Sequence, residues 1–168
     1  PTPDGIGSHT AEIITHNPEM SDRFTRLLNA LKYRGYSNID LKYDPKRNDW
    51  VTFEVNLRPA RCSFALSAAG NDVVKFLVED VLYNKNVDIV PLEKDILYTI
   101  IPNRLLRKYI RPPLLDEVNQ LLKEKRVVRH YLPKSDYSIK RITDHLRNQR
   151  AYYGIFRKYF GKSMYTDL

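Results

Sequence analysis

The chain has 168 residues, 42% of them hydrophobic and 29% charged, with 28 Lys and Arg against 20 Asp and Glu for a net charge of +8. That length and apolar content suffice to bury a core in one domain or two very small ones. A single cysteine, Cys62, excludes a disulfide framework and a Cys-rich zinc module, and the absence of any run of roughly 18 apolar residues or of a leader-like start leads us to expect an intracellular protein, cytoplasmic or nuclear, with no transmembrane segment.

Residues 1–17, with Pro1, Pro3, Gly5 and Gly7 and only a brief apolar pair at Ile13 and Ile14, lack a sustained period and read as a flexible arm. A helix follows: Asn17 caps it, Pro18 suits its first position, Met20, Phe24, Leu27, Leu28 and Leu31 share a face, and Gly35 ends it. The period then switches to two. Ile39, Leu41 and Tyr43 alternate with polar residues, Asp44–Asp49 supplies a turn, and Val51, Phe53, Val55 and Leu57 alternate again. A third strand is expected at Cys62, Phe64 and Leu66, then a helix with Val73, Phe76, Leu77, Val81 and Leu82 inward, and a short strand at Val87–Val90.

From Pro91 the pattern predicts helices at 92–101, at 104–110 after a capping Asn103, and at 114–125, with Pro102 and Pro112-Pro113 as stops. Residues 126–132 alternate like a short strand. Ser135 or Asp136 then caps a long last helix to about Phe160. The expected fold is α+β: a flexible arm over 1–17, an α/β core domain over 18–90 with an α-β-β-β-α layer and a three-stranded antiparallel meander, and a basic, mainly helical region over 91–168.

Charge is divided unevenly along this plan. Residues 103–168 hold 16 Lys and Arg against 6 Asp and Glu, a net of +10, whereas residues 1–102 carry a net of −2. On the last helix Ile142, Leu146, Tyr153, Phe156 and Phe160 form one stripe, and Lys140, Arg147, Arg150, Arg157 and Lys158 form the adjacent one at 100° per residue. A cationic face interleaved with tyrosines suits phosphate contact and base stacking. The expected surface comprises Arg104, Arg107, Lys108, Arg111, Arg126, Arg129, Lys140, Arg147, Arg150, Tyr152, Arg157, Lys158 and Lys162. The function expected from sequence is therefore a non-catalytic nucleic-acid-binding protein, RNA favoured over DNA, with no cofactor. The alternative is a structural or assembly subunit of viral matrix or nucleocapsid type, its basic face on a protein or an anionic membrane.

The α-β-β-β-α order of residues 18–84 resembles the double-stranded RNA-binding domain over about half the chain. Where that family has a basic start to its second helix this chain has Gly70-Asn71-Asp72-Val73-Val74-Lys75, and Pro45-Lys46-Arg47-Asn48 replaces the family's Gly-Pro-x-His loop. The resemblance thus implies a packing or oligomerisation platform in this half and not an RNA-binding one.

Catalysis is a minor alternative. Asp44, Asp49 and Glu54 on the predicted hairpin suggest a metal-dependent nuclease, but the lysine expected two residues after the Glu is replaced by Asn56. The four histidines have no ligand spacing, and neither a Gly-rich phosphate loop nor a nucleophile elbow occurs. No catalytic and no metal-binding residue is assigned.

Overall fold

The computed structural model describes residues 10–60, 63–129 and 138–160, and the fold is α+β. The chain divides into two compact units, one of Pro1–Thr15 with Glu93–Leu168 and the other of His16–Leu92.

The His16–Leu92 unit begins with α1 (Pro18–Ala30), whose Asn17 accepts a hydrogen bond from the Met20 N–H at 3.1 Å while Pro18 fills the first position. The helix stops at Leu31, and Lys32 adopts φ 51, so the left-handed residue lies three positions before the expected Gly35. Strands β2 (Asn38–Asp44) and β3 (Asp49–Asn56) form the expected antiparallel hairpin. Its turn is set by Asp44, which accepts from the Lys46 N–H at 2.9 Å.

Beyond the hairpin the expectations fail in instructive ways. The third strand is instead a short helix, α2 (Phe64–Ala68), and Cys62 lies outside the described residues. Phe64, Leu66 and the small residues between them fit either period over so short a run. Among the described residues the sheet here has two strands, so the antiparallel pairing of the expected meander is present without its third strand, and the double-stranded RNA-binding layout is not seen. Helix α3 (Val73–Val81) is capped by Asp72, which accepts from Val74 and Lys75. Residues 87–90 are not a strand: Asn71 holds Val90 through its amide, donating at 2.8 Å and accepting at 2.9 Å. Of the positions expected inward on α3, Leu77, Val81 and Leu82 are exposed whereas Val73 and Phe76 are half-buried; Phe53, Val55 and Phe64 are exposed as well.

The other unit is built on a mixed sheet. Strand β1 (Ala11–Ile14) pairs antiparallel with β4 (Ile96–Thr99), which pairs parallel with β5 (Val127–Val128), so β4 is central. Two corrections follow. Residues 11–14 are a strand rather than part of an arm, since the hydrogen-bonding partner lies about 85 residues away in sequence and no local period announces it. The helix expected over 92–101 is strand β4, because a central strand buried on both faces reads as a continuous apolar run that periodicity cannot separate from a helix.

Helices α4 (Asn103–Tyr109), α5 (Leu114–Lys123) and α6 (Ile139–Tyr159) complete this unit. The cap of α4 is Pro102, not Asn103. The cap of α6 is Ser138, accepting from the Arg141 N–H at 3.2 Å; the expected Ser135 and Asp136 lie outside the described residues. Leu97, Tyr98, Ile100, Ile101, Leu105, Leu106, Val118, Leu121 and Phe156 are buried and form the core. Phe156 anchors the end of α6, its ring 5.2 Å from Tyr109 and 5.3 Å from Phe160. Earlier on the same helix the expected anchor stripe is not covered: Ile142, Leu146 and Tyr153 are exposed.

Candidate functional site

Two places concentrate polar chemistry, one in each unit. The first is the β2–β3 hairpin. Its register is Asp44 with Asp49, Tyr43 with Trp50, Lys42 with Val51 and Leu41 with Thr52, and then it slips at Asp40/Leu41 so that Asp40 stands opposite Glu54 and Asn38 opposite Asn56. A bulge takes up Phe53. One end of the hairpin therefore brings together two carboxylates and two amides, with the Asn38 Nδ2 donating to Asp40 Oδ1 at 3.1 Å. Like charges directly opposed across a ladder are unfavourable. An all-oxygen set of two carboxylates with neighbouring amide oxygens suits a hard divalent cation that fills its remaining positions with water or phosphate oxygens. Among the described residues no three of His, Cys, Asp and Glu gather as a fuller metal cage would require.

The nuclease set expected from sequence does not assemble. Asp49 is taken by Arg23, whose guanidinium donates to both carboxylate oxygens at 3.0 and 3.4 Å, and the Trp50 N–H adds a third bond at 2.7 Å. The Arg23 hydrogen bond, followed by that of Trp50, holds the Asp49 carboxyl below the ordinary aspartate range. Asp44 caps the turn and lies 3.5 Å from Arg47. Glu54 sits at the opposite end of the hairpin, facing Asp40.

The second place is a cavity of about 620 Å³ along one face of α6, lined among others by Lys140, Arg141, His145, Asn148, Gln149 and Tyr152. Positions 141, 145, 148 and 152 repeat at helical spacing, so α6 presents a polar face. That face is fastened to the sheet by Gln149, whose Nε2 donates to the Ile100 carbonyl at 2.7 Å. The adjoining Ile101 carbonyl accepts from Arg129 Nη1 at 3.1 Å, and Asn103 Oδ1 accepts from Arg129 Nη2. Burial lowers the Arg129 pKa from its ordinary value. The carboxyl end of β4 is thus a junction of β1, β5, α4 and α6, fixed further by Thr99, which is fully buried and donates from Oγ1 to the Thr10 carbonyl at 3.2 Å.

The cations singled out from sequence are dispersed over this unit. Arg107 donates to Asn119 at 2.8 Å, Arg126 lies 2.7 Å from Glu124, and Arg147 lies 3.7 Å from Asp144. Lys108 and Lys158 sit over the rings of Tyr109 and Tyr159 at 5.3 and 4.7 Å. Arg104, Arg111, Arg150 and Arg157 are exposed on or beside α4 and α6. Only Lys140 and Tyr152 of the expected set line the cavity, and Lys162 lies outside the described residues. Asp40, Asn38, Asn56 and the groove residues Arg141, His145, Asn148 and Gln149 were not in the expected binding set. Helical spacing of polar residues on α6 would have revealed the groove set; the hairpin set depends on the bulge.

No protein-family model and no solved structure matches the chain. Among curated proteins it is similar to the D-aspartate ligase of Enterococcus faecium (strain Aus0004), 29% identical over 166 residues that cover 95% of this chain and 39% of the ligase. The likeness is to an enzyme. It overturns the expectation of a non-catalytic nucleic-acid-binding or structural protein, and with it the nuclease alternative. Net charge misled because it reports the sign of a surface and not its chemistry. The chain spans about two fifths of the length of this relative. No helix among the described residues is long and apolar enough to cross a membrane.

Proposed function

We propose that this chain is part of a ligase acting on D-aspartate or a closely similar acidic amino acid. The carrying observation is the 166-residue likeness, which runs across nearly the whole chain and so includes both polar places. Ligases as a class join two molecules at the expense of a nucleoside triphosphate, whose phosphates travel with magnesium. Magnesium is characteristically held by one or two carboxylates together with substrate phosphates. Asp40 and Glu54, flanked by Asn38 and Asn56, fit that role. When bound, the metal would neutralise phosphate charge, while Asn38 keeps the Asp40 carboxylate in place through its 3.1 Å hydrogen bond. The α6 groove sets Lys140, Arg141, His145 and the Asn148 amide around a single carboxylate, Asp144, and this excess of donors suits an acidic ligand. A nucleotide-consuming ligase of this kind belongs in the cytoplasm.

The test is calorimetric titration of the purified protein with magnesium and a non-hydrolysable nucleotide, and with D-aspartate against L-aspartate, accompanied by an assay for D-aspartate-dependent phosphate release. Saturable binding of the magnesium nucleotide, abolished by Glu54→Gln, and a preference for the D isomer are expected. A folded protein that binds neither ligand at millimolar concentration refutes the proposal.

A further inference from the structure

Along α6 the cations Lys140, Arg141, Arg147, Arg150, Arg157 and Lys158 are accompanied by one acid, Asp144. That acid borders the groove. Side chains four residues apart form rows that run side by side along a helix. On α6 one row is Lys140, Asp144, Asn148 and Tyr152, the next is Arg141, His145 and Gln149, and every one of these lines the cavity of about 620 Å³. Helix neighbours three and four positions apart have Cβ atoms about 5–6 Å from each other. Asp144 therefore stands between Lys140 and Asn148 along its own row and beside Arg141 in the next. Asp144 and His145 are half-buried, and Gln149 ties the same face to the Ile100 carbonyl at 2.7 Å.

The plain role for Asp144 is a surface ion pair with Arg147. That pair is weak: its atoms are 3.7 Å apart, with the Asp144 side chain 45% and the Arg147 side chain 79% exposed, so water screens it and no hydrogen bond closes it. Arg147 does not border the cavity. Asp144 thus keeps a negative charge on the cavity side, and the charge has a consequence for what the groove accepts. A ligand bearing carboxylates alone is repelled by it, whereas a ligand that also bears an ammonium finds its complement there. An acidic amino acid carries two carboxylates and one ammonium. The groove has the reverse pattern, with Lys140, Arg141, His145 and the Asn148 amide for the carboxylates and Asp144 for the ammonium.

We infer that Asp144 holds the α-ammonium of the acidic amino acid while Lys140, Arg141 and Asn148 hold its carboxylates, and that this third contact sets the preference for one mirror image. Two carboxylate contacts leave D and L isomers alike; a third, unlike contact on a fixed helix face separates them and rejects an analogue that lacks the amine. Asp144's role rests on the ligase reading, and succinate, which is aspartate without its amine, tests the two apart. D-aspartate, L-aspartate and succinate are titrated calorimetrically, with magnesium and a non-hydrolysable nucleotide present, into the unsubstituted protein and into Asp144→Asn, Arg141→Gln and Arg147→Gln, each checked for helix content by circular dichroism. The unsubstituted protein should favour D-aspartate over the other two. Asp144→Asn should weaken D-aspartate by on the order of 10-fold, bring the D and L isomers to one affinity, and leave succinate as tight or tighter. Arg141→Gln should weaken all three ligands and Arg147→Gln none. Three results would each overturn Asp144's role: D-aspartate binding untouched by Asp144→Asn, which puts the ammonium elsewhere; succinate weakened as much as D-aspartate, which makes Asp144 a shaper of the groove; or Arg147→Gln reproducing the loss, which leaves only the surface pair. An unsubstituted protein that binds neither aspartate nor succinate is instead the failure of the ligase reading, and Asp144's role falls with it.

Discussion

Asp40 opposite Glu54 should make the protein less stable without a cation than it would be with one charge removed. Both residues are exposed, so water's dielectric applies. Directly paired residues place side chains about 5 Å apart, where two unit charges repel by about 0.8 kcal/mol; at 0.1 M salt, with a screening length of about 10 Å, roughly 0.5 kcal/mol survives. Asp40→Asn or Glu54→Gln alone should therefore stabilise the hairpin by about 0.5 kcal/mol, and the double variant should gain little more. Trp50, the only tryptophan, sits in β3 with its ring 5.5 Å from Tyr43, so urea denaturation followed by its emission reports on this hairpin. Millimolar magnesium should reverse the order, stabilising the unsubstituted protein and leaving the single variants unmoved. A double-mutant cycle with no coupling, or magnesium acting equally on all four proteins, would refute both the repulsion and the cation site.

Other expectations follow from single contacts. Because Asp49 is held below the ordinary aspartate value by Arg23 and then by the Trp50 N–H, these contacts stabilise above that value and the contribution is lost as pH falls through the lowered one; an acid titration of Trp50 emission should show this step, and Arg23→Ala should shrink it and move it toward the ordinary aspartate range. Leu97→Ala, at a position 1% exposed in the central strand, should cost about 2–5 kcal/mol in thermal or urea unfolding followed by far-ultraviolet circular dichroism. Gly154 lies within α6 and a Cβ there meets nothing within 4 Å, so Gly154→Ala should raise stability by about 0.8–1 kcal/mol; a loss in the same measurement would show that this part of α6 is not a regular helix.

Local chemistry was legible from the sequence wherever one residue acts on its neighbours. Asn17-Pro18 starts α1, the alternation of 39–43 and 51–57 makes a hairpin about the Asp44 turn, and Asp72 opens α3, because caps, turns and period are settled within a few residues. What depends on distant partners was not legible. Whether 11–14 and 96–99 are strands was decided by their pairing with each other, which adds backbone hydrogen bonds that neither segment can make alone. The facing of side chains was decided by what each element packs against, which is why Phe53 and Leu77 are exposed despite their period. The site turns on one residue. A regular ladder from Asp44/Asp49 would set Asp40 opposite Phe53; the bulge shifts β3 by one and sets it opposite Glu54, with Asn38 facing Asn56. Sequence supplied both carboxylates, and only the register brought them together, because in a strand a slip of one residue exchanges every cross-strand partner.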